Sequence, residues 1–264
     1  MRIEAYVAGI GVLGPGLDGW PESRGVLAGE RPYAPVPTVL PPPALLSATE
    51  RRRTGRVVRL ALAIAAEAVA HAGAEAAQLR SVFTSSTGDG QNCHELCESL
   101  AEVAPEVSPT RFANSVHNAA AGYWSIATSA MQPSTVLCAF DGSFCAGLLE
   151  ALVQVVVDEE PILLVSYDAD YPPPMHAKRP VPDAFGTALV LAPRREPGSL
   201  ARLEATLSKE PPERLAGPLE TLRRSNPAAR AVPLLKHLAI GEPARTVLEY
   251  LDGLSFAVEI EPCA

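Results

Sequence analysis

The succession of residues 134–170 constrains the fold more than any other part of the chain. Residues 134–140 read STVLCAF and residues 161–170 read PILLVSYDAD, and the segment between them, GSFCAGLLEALVQVVVDE, is apolar at helical intervals. Two strand-length apolar runs joined by an apolar helix are typical of a strand–helix–strand crossover, the unit of a parallel sheet packed by helices. The sequence therefore predicts an α/β fold.

Apolar periodicity and turn residues predict further elements on either side of this unit. The expected helices include one that starts with the capping-box spacing of Ser47 and Glu50 and stops at Gly73. A connector containing three consecutive prolines, residues 31–46, precedes it. The other expected elements are strands at 3–15, 80–90, 183–195 and 256–262, and helices at 92–104, 108–130 and 244–253.

Length, charge and cysteine content exclude several classes of protein. The 264 residues suffice for one large domain, and the formal net charge of −8 predicts no attraction to nucleic acid or anionic membrane. The first residues lack the pattern of a signal peptide, and no apolar stretch reaches the length expected of a membrane span. Five cysteines without a secretion signal favour reduced thiols. We expect a cytoplasmic protein.

Four segments in a fixed order resemble the N-terminal half of the ketosynthase (condensing-enzyme, thiolase-like) family. They are VAGIGVLGPG, FTSSTGDG, the run from Ser108 to Leu152, and DAFGTALVLAP. The phrase NSVHNAAAGYWSIAT is similar to chain-length-factor proteins of aryl-polyene and type II polyketide or fatty-acid pathways. The resemblance implies a thiolase-like half-fold: a mostly parallel mixed sheet packed by helices, truncated relative to a full ketosynthase. It also implies one domain over 1–264, with a thiolase-like first half (1–196) and a variable C-terminal extension (197–264).

The expected nucleophile is missing from this family pattern. Ketosynthases place a cysteine before a residue pair and a glycine at the mouth of a buried helix. With Gly142 as that glycine, Ala139 occupies the nucleophile position and Cys138 lies one residue too early. On a strand, this shift turns the side chain to the opposite face. We expect Cys138 to be a buried thiol of raised pKa, and the nearby carboxylate of Asp141 to disfavour its thiolate form further. We expect a packing role for Cys145.

The catalytic bases of the family are missing as well. A complete ketosynthase has a second half that supplies two basic residues, whereas only 67 residues follow Pro197. Of the histidines, His237 is expected on a helix surface, and His117 is expected in a hydrogen-bonded interface or core position. Cys93, His94 and Cys97 lack the further ligands of a zinc site, so helix packing is expected for the two thiols. We predict no cofactor and no metal.

The family resemblance points to an interface role for the segment that precedes the nucleophile corner. In heterodimers, the chain-length factor contributes side chains to the end of its partner's acyl tunnel. The residues predicted for tunnel and interface contacts are Val107, Phe112, Val116, His117, Ala121, Gly122, Tyr123 and Trp124. Plain core packing of this segment is the alternative.

Three functions follow as expectations. The first is a non-catalytic subunit of chain-length-factor type that pairs with a true ketosynthase and reaches acyl carrier protein through the complex. The second is a shortened condensing or acyl-transfer enzyme that uses Cys138. The third is a homodimeric acyl-binding scaffold.

Overall fold

The computed structural model describes residues 3–263, which form one nine-stranded mixed sheet packed by helices. The strands are β1 (Ile3–Gly14), β2 (Leu17–Asp18), β3 (Arg80–Thr84), β4 (Ser134–Leu137), β5 (Ile162–Asp168), β6 (Phe185–Ala192), β7 (Ala201–Ser208), β8 (Ala244–Leu251) and β9 (Leu254–Pro262). The helices are α1 (Trp20–Leu27), α2 (Ala48–Arg51), α3 (Arg56–Ala72), α4 (Gly90–Ala101), α5 (Pro109–Asn114), α6 (Ala119–Thr128), α7 (Ser143–Asp158), α8 (Pro173–His176), α9 (Pro218–Ser225) and α10 (Val232–Ile240). Short 3₁₀ turns lie at Ala76–Gln78, Phe140–Gly142 and Ala228–Ala231.

The strand order is β4-β3-β5-β6-β1-β7-β9-β8, with β2 paired to β1. The predicted crossover is confirmed, because β4 and β5 both pair parallel to β3 and α7 connects them. The expectation of a mostly parallel sheet is wrong: all other strand pairings are antiparallel. A short turn joins two of these antiparallel pairs, β1–β2 and β8–β9, whereas the others pair strands that are distant along the chain.

Two apolar cores lie on opposite faces of the sheet, since side chains alternate between faces along each strand. On β5, Leu164 packs with α7 and α10, whereas Leu163 and Val165 pack with α3 and α6. The long strand β1 fits closely against α3, because a Cβ at Gly11 would lie 2.1 Å from the carbonyl oxygen of Ile64. The crossover β4–α7–β5 therefore forms one wall of the core that contains Leu164.

Three predicted helices differ from the observed elements. The helix expected from Ser47 to Gly73 is divided into α2 and α3. Ser47 does cap α2 by accepting a hydrogen bond from the Glu50 amide, but the chain turns at Arg52–Gly55 before α3 begins. The helix expected over 108–130 is likewise divided into α5 and α6. The helix expected at 244–253 is strand β8, because antiparallel pairing with β9 outweighs the helical pattern.

The chain after Pro197 completes the sheet. It adds β7, β8 and β9 beyond β1, and β7 pairs with the first half of β1. The strand β7 was not predicted. Its sequence, ARLEATLS, alternates between polar and apolar residues, but it lies in a charged segment punctuated by prolines, which obscures the strand pattern. Its buried positions, Ala201, Leu203 and Ala205, alternate with partly exposed ones, as expected for a half-buried strand.

One helical stretch, Phe140–Asp158, has the length and apolar composition of a membrane span, with a mean hydropathy of 1.5. No apolar stretch of this length was expected from the sequence. Most of it is α7, whose Phe144, Leu148 and Leu152 are fully buried against the sheet. Its apolar character is that of a core helix.

Candidate functional site

The corner between β4 and α7 is a tightly packed turn. Beyond the end of β4, Cys138 and Ala139 lead into the 3₁₀ turn Phe140–Gly142. Ser143 fixes this turn, because its hydroxyl accepts a hydrogen bond from the Ala139 amide at 3.0 Å and donates to the Phe140 carbonyl at 2.7 Å. A Cβ at Gly142 would lie 2.2 Å from the carbonyl oxygen of Tyr250, so β8 closes the corner from the side.

The side chains at this corner carry no nucleophile in the position expected from the family pattern. Ala139 presents a methyl group, and Phe140 follows in the left-handed region with φ 52°. This conformation is costly for a bulky residue, at about 1–3 kcal/mol, so the surrounding contacts must hold it. The Phe140 ring is exposed on one side, and the Arg179 guanidinium stacks on it at 3.7 Å from the ring centroid.

Cys138 lies in a different environment from the one predicted. The expectation of a buried thiol in an apolar strand is wrong: β4 ends at Leu137, and Cys138 is exposed. Its thiol donates a hydrogen bond to the Ser86 carbonyl oxygen at 3.0 Å. Cys145 is fully buried in α7, and burial raises its pKa, so the expected packing role is confirmed.

A network of ion pairs covers the mouth of the corner. Asp141 binds Arg179 closely and lies 3.4 Å from Arg230. Arg230 also binds Glu249, which pairs with Arg223 at 2.9 Å. The network ties the corner to β8, α9 and the turn Ala228–Ala231, which are far from it in sequence. Arg179 and Arg230 were not predicted, because nothing in MHAKRP or NPAARA marks them as partners of Asp141.

Arginine side chains lower the pKa of two carboxylates in or beside this network, Glu249 and Glu220. The hydrogen bond from Arg223 lowers the pKa of Glu220 to about 2, against a smaller raising effect of burial. Burial alone would raise the pKa of Glu249, but the hydrogen bonds and charges of Arg230 and Arg223 lower it. A cleft of about 840 Å³ opens beside the network, lined by Phe140, Asp141 and residues of α9 and β8. The polar groups at the corner are therefore engaged in structural ion pairs.

The histidines do not supply a base at the corner. His237 on α10 is half-buried, and its Nε2 lies within hydrogen-bond distance (3.0 Å) of a carboxylate oxygen of Glu213, so it does not lie on an open helix surface. His117 is half-buried beside Gly88, and its Nε2 has no hydrogen-bond partner among the described residues. The expected hydrogen bond of His117 is therefore not observed at that atom. Neither histidine lies among the residues that line the cleft.

One buried carboxylate near the corner was missed by sequence reasoning. Asp168 at the end of β5 is fully buried, and its Oδ1 accepts hydrogen bonds from the Ser85 hydroxyl and from the amide and hydroxyl of Ser86. Burial raises its pKa to about 6 in spite of these bonds. The only sequence signal was its position after an apolar strand, opposite the small residues that follow β3.

The predicted tunnel and interface residues fall into two groups. Val107, Phe112 and Val116 are exposed, at 39%, 69% and 53% of their surface. Tyr123 and Trp124 are buried in the chain's own core, together with Ala121, so core packing holds for these three. The Tyr123 hydroxyl donates to Asn114 at 3.1 Å.

The exposed part of this segment forms an apolar surface, which we name the 100–140 surface. Eight of the sixteen exposed large apolar side chains among the described residues fall within residues 100–140, a small fraction of the chain. They are Leu100, Val103, Val107, Phe112, Val116, Ile126, Met131 and Phe140. Where exposed apolar side chains are contiguous on a surface, they mark protein–protein contact sites. The expectation that Cys93 and Cys97 pack into the core is wrong, since both are exposed, and they share a face of α4 with Leu100 of this surface.

Two further features of the same segment suit close contact. Gly122 is exposed on α6, and a Cβ at this position would meet nothing within 4 Å, so the helix surface is open there. Strand β4 is an edge strand that pairs only with β3, and its outer backbone groups have no strand partner. The expectation that residues 134–140 form a fully buried strand is therefore wrong, since none of the residues of β4 is fully buried.

Solved structures similar to this chain come from ketosynthase complexes. The ketosynthase ApeO in complex with its chain length factor ApeC, from Xenorhabdus doucetiae, matches with 22% identity and a TM-score of 0.73, over 97% of this chain and 98% of that chain. The ishigamide ketosynthase/chain length factor matches with 15% identity and a TM-score of 0.70, over 99% of this chain and 100% of that chain. The complex AntDE:AntF, a type II PKS acyl-carrier protein with its ketosynthase bound to the hexaketide, matches with 10% identity and a TM-score of 0.76. The match covers 100% of both chains. At these identities the likeness shows the fold alone.

Sequence comparison identifies the family. No sequence among the curated proteins matches this chain. The family model described as "Beta-ketoacyl synthase, N-terminal domain" matches residues 28–243, which is most of the chain and includes the corner, the 100–140 surface and α10. The chain therefore belongs to the beta-ketoacyl synthase N-terminal domain family.

Proposed function

We propose that this chain is a non-catalytic subunit of chain-length-factor type, which pairs with a true beta-ketoacyl synthase in the cytoplasm. The observation that carries the proposal is the combination of a corner without a nucleophile and an apolar surface beside it. Ala139 replaces the nucleophile, and Arg179 and Arg230 hold Asp141 in ion pairs. The chemistry would then belong to the partner, and this chain would bind and shape it.

The 100–140 surface supports pairing with a partner of the same fold. Apolar side chains exposed on a monomer gain free energy when a partner buries them, at about 25 cal/mol per Å². The open α6 surface at Gly122 allows a partner helix to approach closely, and the free edge of β4 offers backbone hydrogen bonds to a partner strand. Solved structures of similar fold include complexes of a ketosynthase with a chain length factor.

The role of single side chains in the partner's acyl tunnel is part of the same proposal. Phe112 on α5 is exposed at 69% of its surface, and Val116 lies four residues further along the chain, beyond the end of α5. A bulky side chain at the end of a packed tunnel limits the length of the acyl chain, because well-packed walls resist an extra methylene. Carrier-bound acyl groups would reach this wall only through the partner subunit.

Pairing is tested by blocking the open helix surface. We expect Gly122→Trp to fold normally, since the new side chain points into open space, and to lose co-purification with a co-expressed full-length ketosynthase. Val157→Trp adds the same bulk at an exposed position of α7 outside the 100–140 surface and should leave pairing intact. Size-exclusion chromatography with light scattering gives the stoichiometry. A homodimer that binds no ketosynthase would contradict the proposal and favour the acyl-binding scaffold.

Tunnel shaping and catalysis are tested by product analysis of the reconstituted complex. We expect Phe112→Ala to shift carrier-bound products towards longer chains. We expect Cys138→Ala to leave product yield unchanged, because Ala139 occupies the nucleophile position and the Cys138 thiol is hydrogen bonded to the Ser86 carbonyl. Mass spectrometry of the carrier protein measures both. Loss of product with Cys138→Ala, together with thiol-specific acyl labelling of Cys138, would favour the enzyme that uses this residue.

A further inference from the structure

An apolar groove of about 690 Å³ lies between the proline-rich connector and α9, and we name it the connector groove. Its volume is within the range of small-molecule sites. Its apolar lining consists of Pro15, Tyr33, Pro35, Val36, Pro37, Pro182, Pro218 and Leu222. None of the lining residues lies within residues 100–140, so the groove is separate from the surface proposed for the ketosynthase partner.

The polar side chains of the connector groove are bonded within the chain. The Tyr33 hydroxyl donates to the Pro15 carbonyl oxygen at 2.8 Å, and the Asp183 carboxylate accepts from the Thr38 amide at 2.8 Å. The Asn226 side chain donates to the Asp183 carbonyl oxygen at 3.0 Å. Polar groups that already have partners gain little from a polar ligand, whereas the apolar lining gains from burial. The groove therefore suits the apolar part of a molecule.

The wall formed by the connector is already ordered. The Gly16 amide donates to the Val36 carbonyl oxygen at 2.8 Å, and the Thr38 hydroxyl donates to the Ala184 carbonyl oxygen at 2.9 Å. Between these contacts, the proline rings fix the backbone φ angle. Binding to a wall of this kind costs little conformational entropy, because few groups have to be ordered.

A positively charged end adjoins the connector groove. Thr221 and Ser225, one turn apart on α9, line both the groove and a second cavity of about 540 Å³. Arg224 lies on the same face of α9 and lines that second cavity. The arginines Arg179, Arg223 and Arg230 are bound to Asp141, Glu220 and Glu249, whereas the exposed guanidinium of Arg224 forms no ion pair within residues 3–263. Four arginines therefore accompany three carboxylates, and the unmatched charge is that of Arg224.

We infer that the connector groove and Arg224 bind a hydrophobic molecule with a single anionic head group, of the class of alkyl carboxylates and alkyl phosphates. The alkyl chain lies between the connector and α9, where each buried methylene contributes favourable free energy. The head group pairs with the Arg224 guanidinium, whose geometry matches the oxygens of a carboxylate or phosphate. The site does not depend on pairing with a ketosynthase, so either proposal stands or fails alone.

The charge preference is tested by isothermal titration calorimetry on the full-length protein, with ligands below their micelle-forming concentrations. We expect one site per chain for decanoate, decyl phosphate or both, and at least tenfold weaker binding of decyltrimethylammonium. Arg224→Gln should weaken binding of the anion about tenfold, the effect of one charge-assisted hydrogen bond. The matched control is Arg214→Gln, which removes another exposed arginine outside both cavities and should leave the affinity unchanged.

The groove is tested by filling it. Thr221→Trp and Val36→Trp add bulk at exposed lining positions and should each abolish binding, while circular dichroism and the urea midpoint remain close to those of the unsubstituted protein. Val39→Trp adds the same bulk to the connector at an exposed residue that does not line the groove, and it should retain binding. Gly122→Trp, which blocks the surface proposed for the partner, should retain binding as well.

Four results would overturn the inference. The first is unchanged affinity for the anion in Arg224→Gln, and the second is equal affinity for decanoate and decyltrimethylammonium. The third is retention of binding in folded Thr221→Trp and Val36→Trp variants, which would place the ligand outside the connector groove. The fourth is loss of binding in Phe112→Ala, which would place the ligand on the 100–140 surface.

Discussion

Folding strongly changes the ionisation of Asp168, which lies near this corner. Its carboxyl group accepts three hydrogen bonds at Oδ1 from Ser85 and Ser86, whereas Oδ2 is buried without a partner among the described residues. Burial disfavours the charged form and raises the pKa from 3.8 to about 6, more than the hydrogen bonds lower it. The folded protein therefore holds a proton on Asp168 at a pH where the unfolded chain has lost it.

This shift makes stability fall as pH rises from about 4 to about 6. Asp168 contributes up to ~3 kcal/mol of this loss, at about 1.4 kcal/mol per pKa unit. We expect Asp168→Asn to remove this loss. The unfolding free energy of the variant minus that of the unsubstituted protein should therefore increase as pH rises from about 4 to about 6 and stay constant above about pH 6. Urea denaturation at several pH values measures this. Parallel curves for the two proteins would show that Asp168 does not titrate in this range.

At the scale of elements, the sequence predicts those helices and strands whose type is determined by the local pattern of apolar and turn residues. The strands β1, β3, β5 and β6, the helix α4 and the crossover through α7 were all expected, because each combines a clear apolar period with glycine or proline punctuation. Strand β8 was taken for a helix, since RTVLEYL satisfies helical spacing and only its pairing with β9 decides the matter. The break between α2 and α3 depends on a similar tertiary contact: a Cβ at Gly55 would lie 2.7 Å from an Asp89 carboxylate oxygen.

The candidate site likewise has features that can be predicted from local sequence and features that depend on tertiary contacts. The loss of the nucleophile at Ala139 could be read from spacing alone, because it depends on residues close in sequence. The ion pairs of Asp141 could not, since Arg179 and Arg230 approach it only through the fold. The exposure of Cys138 depends on where β4 ends, a boundary that local pattern places poorly. The outward direction of Phe112 and the inward direction of Trp124 likewise follow from the break between α5 and α6.

The network that joins the corner to β8 and α9 predicts a specific loss of stability. Arg230 is almost fully buried and pairs with both Asp141 and Glu249. We expect Arg230→Met to cost about 3 kcal/mol, at the low end for breaking a buried pair because its partners are partly exposed. The matched control is Arg194→Met, which removes an exposed pair with Glu159 and should cost less than about 1 kcal/mol. Equal midpoints for the two variants in urea would contradict a structural role for the network.

At the scale of the whole molecule, the division at Pro197 does not coincide with a break in packing. The core on the α7 side contains Ile10 and Leu148 from the first part of the chain, and Leu203, Leu234 and Phe256 from the last part. Strand β7 pairs with β1 over Ile3–Val7, so the sheet runs continuously across the division. The last part of the chain buries its apolar side chains in a core that it shares with the first part, and we propose that residues 1–264 form one domain.

A single domain is expected to unfold in one cooperative step. Calorimetry should give one transition whose calorimetric and van 't Hoff enthalpies agree, because both parts contribute to the core on the α7 side and one sheet runs through both. Residues 1–196 expressed alone should be aggregated or unfolded, since removal of β7 exposes the edge of β1 and the buried residues beneath α10. A control that ends at residue 262 removes only the last two residues, after β9, and should keep the transition close to that of the full chain. Two separate transitions, or a folded 1–196 fragment with native helix content, would instead make the C-terminal strands an independent addition to a self-sufficient half.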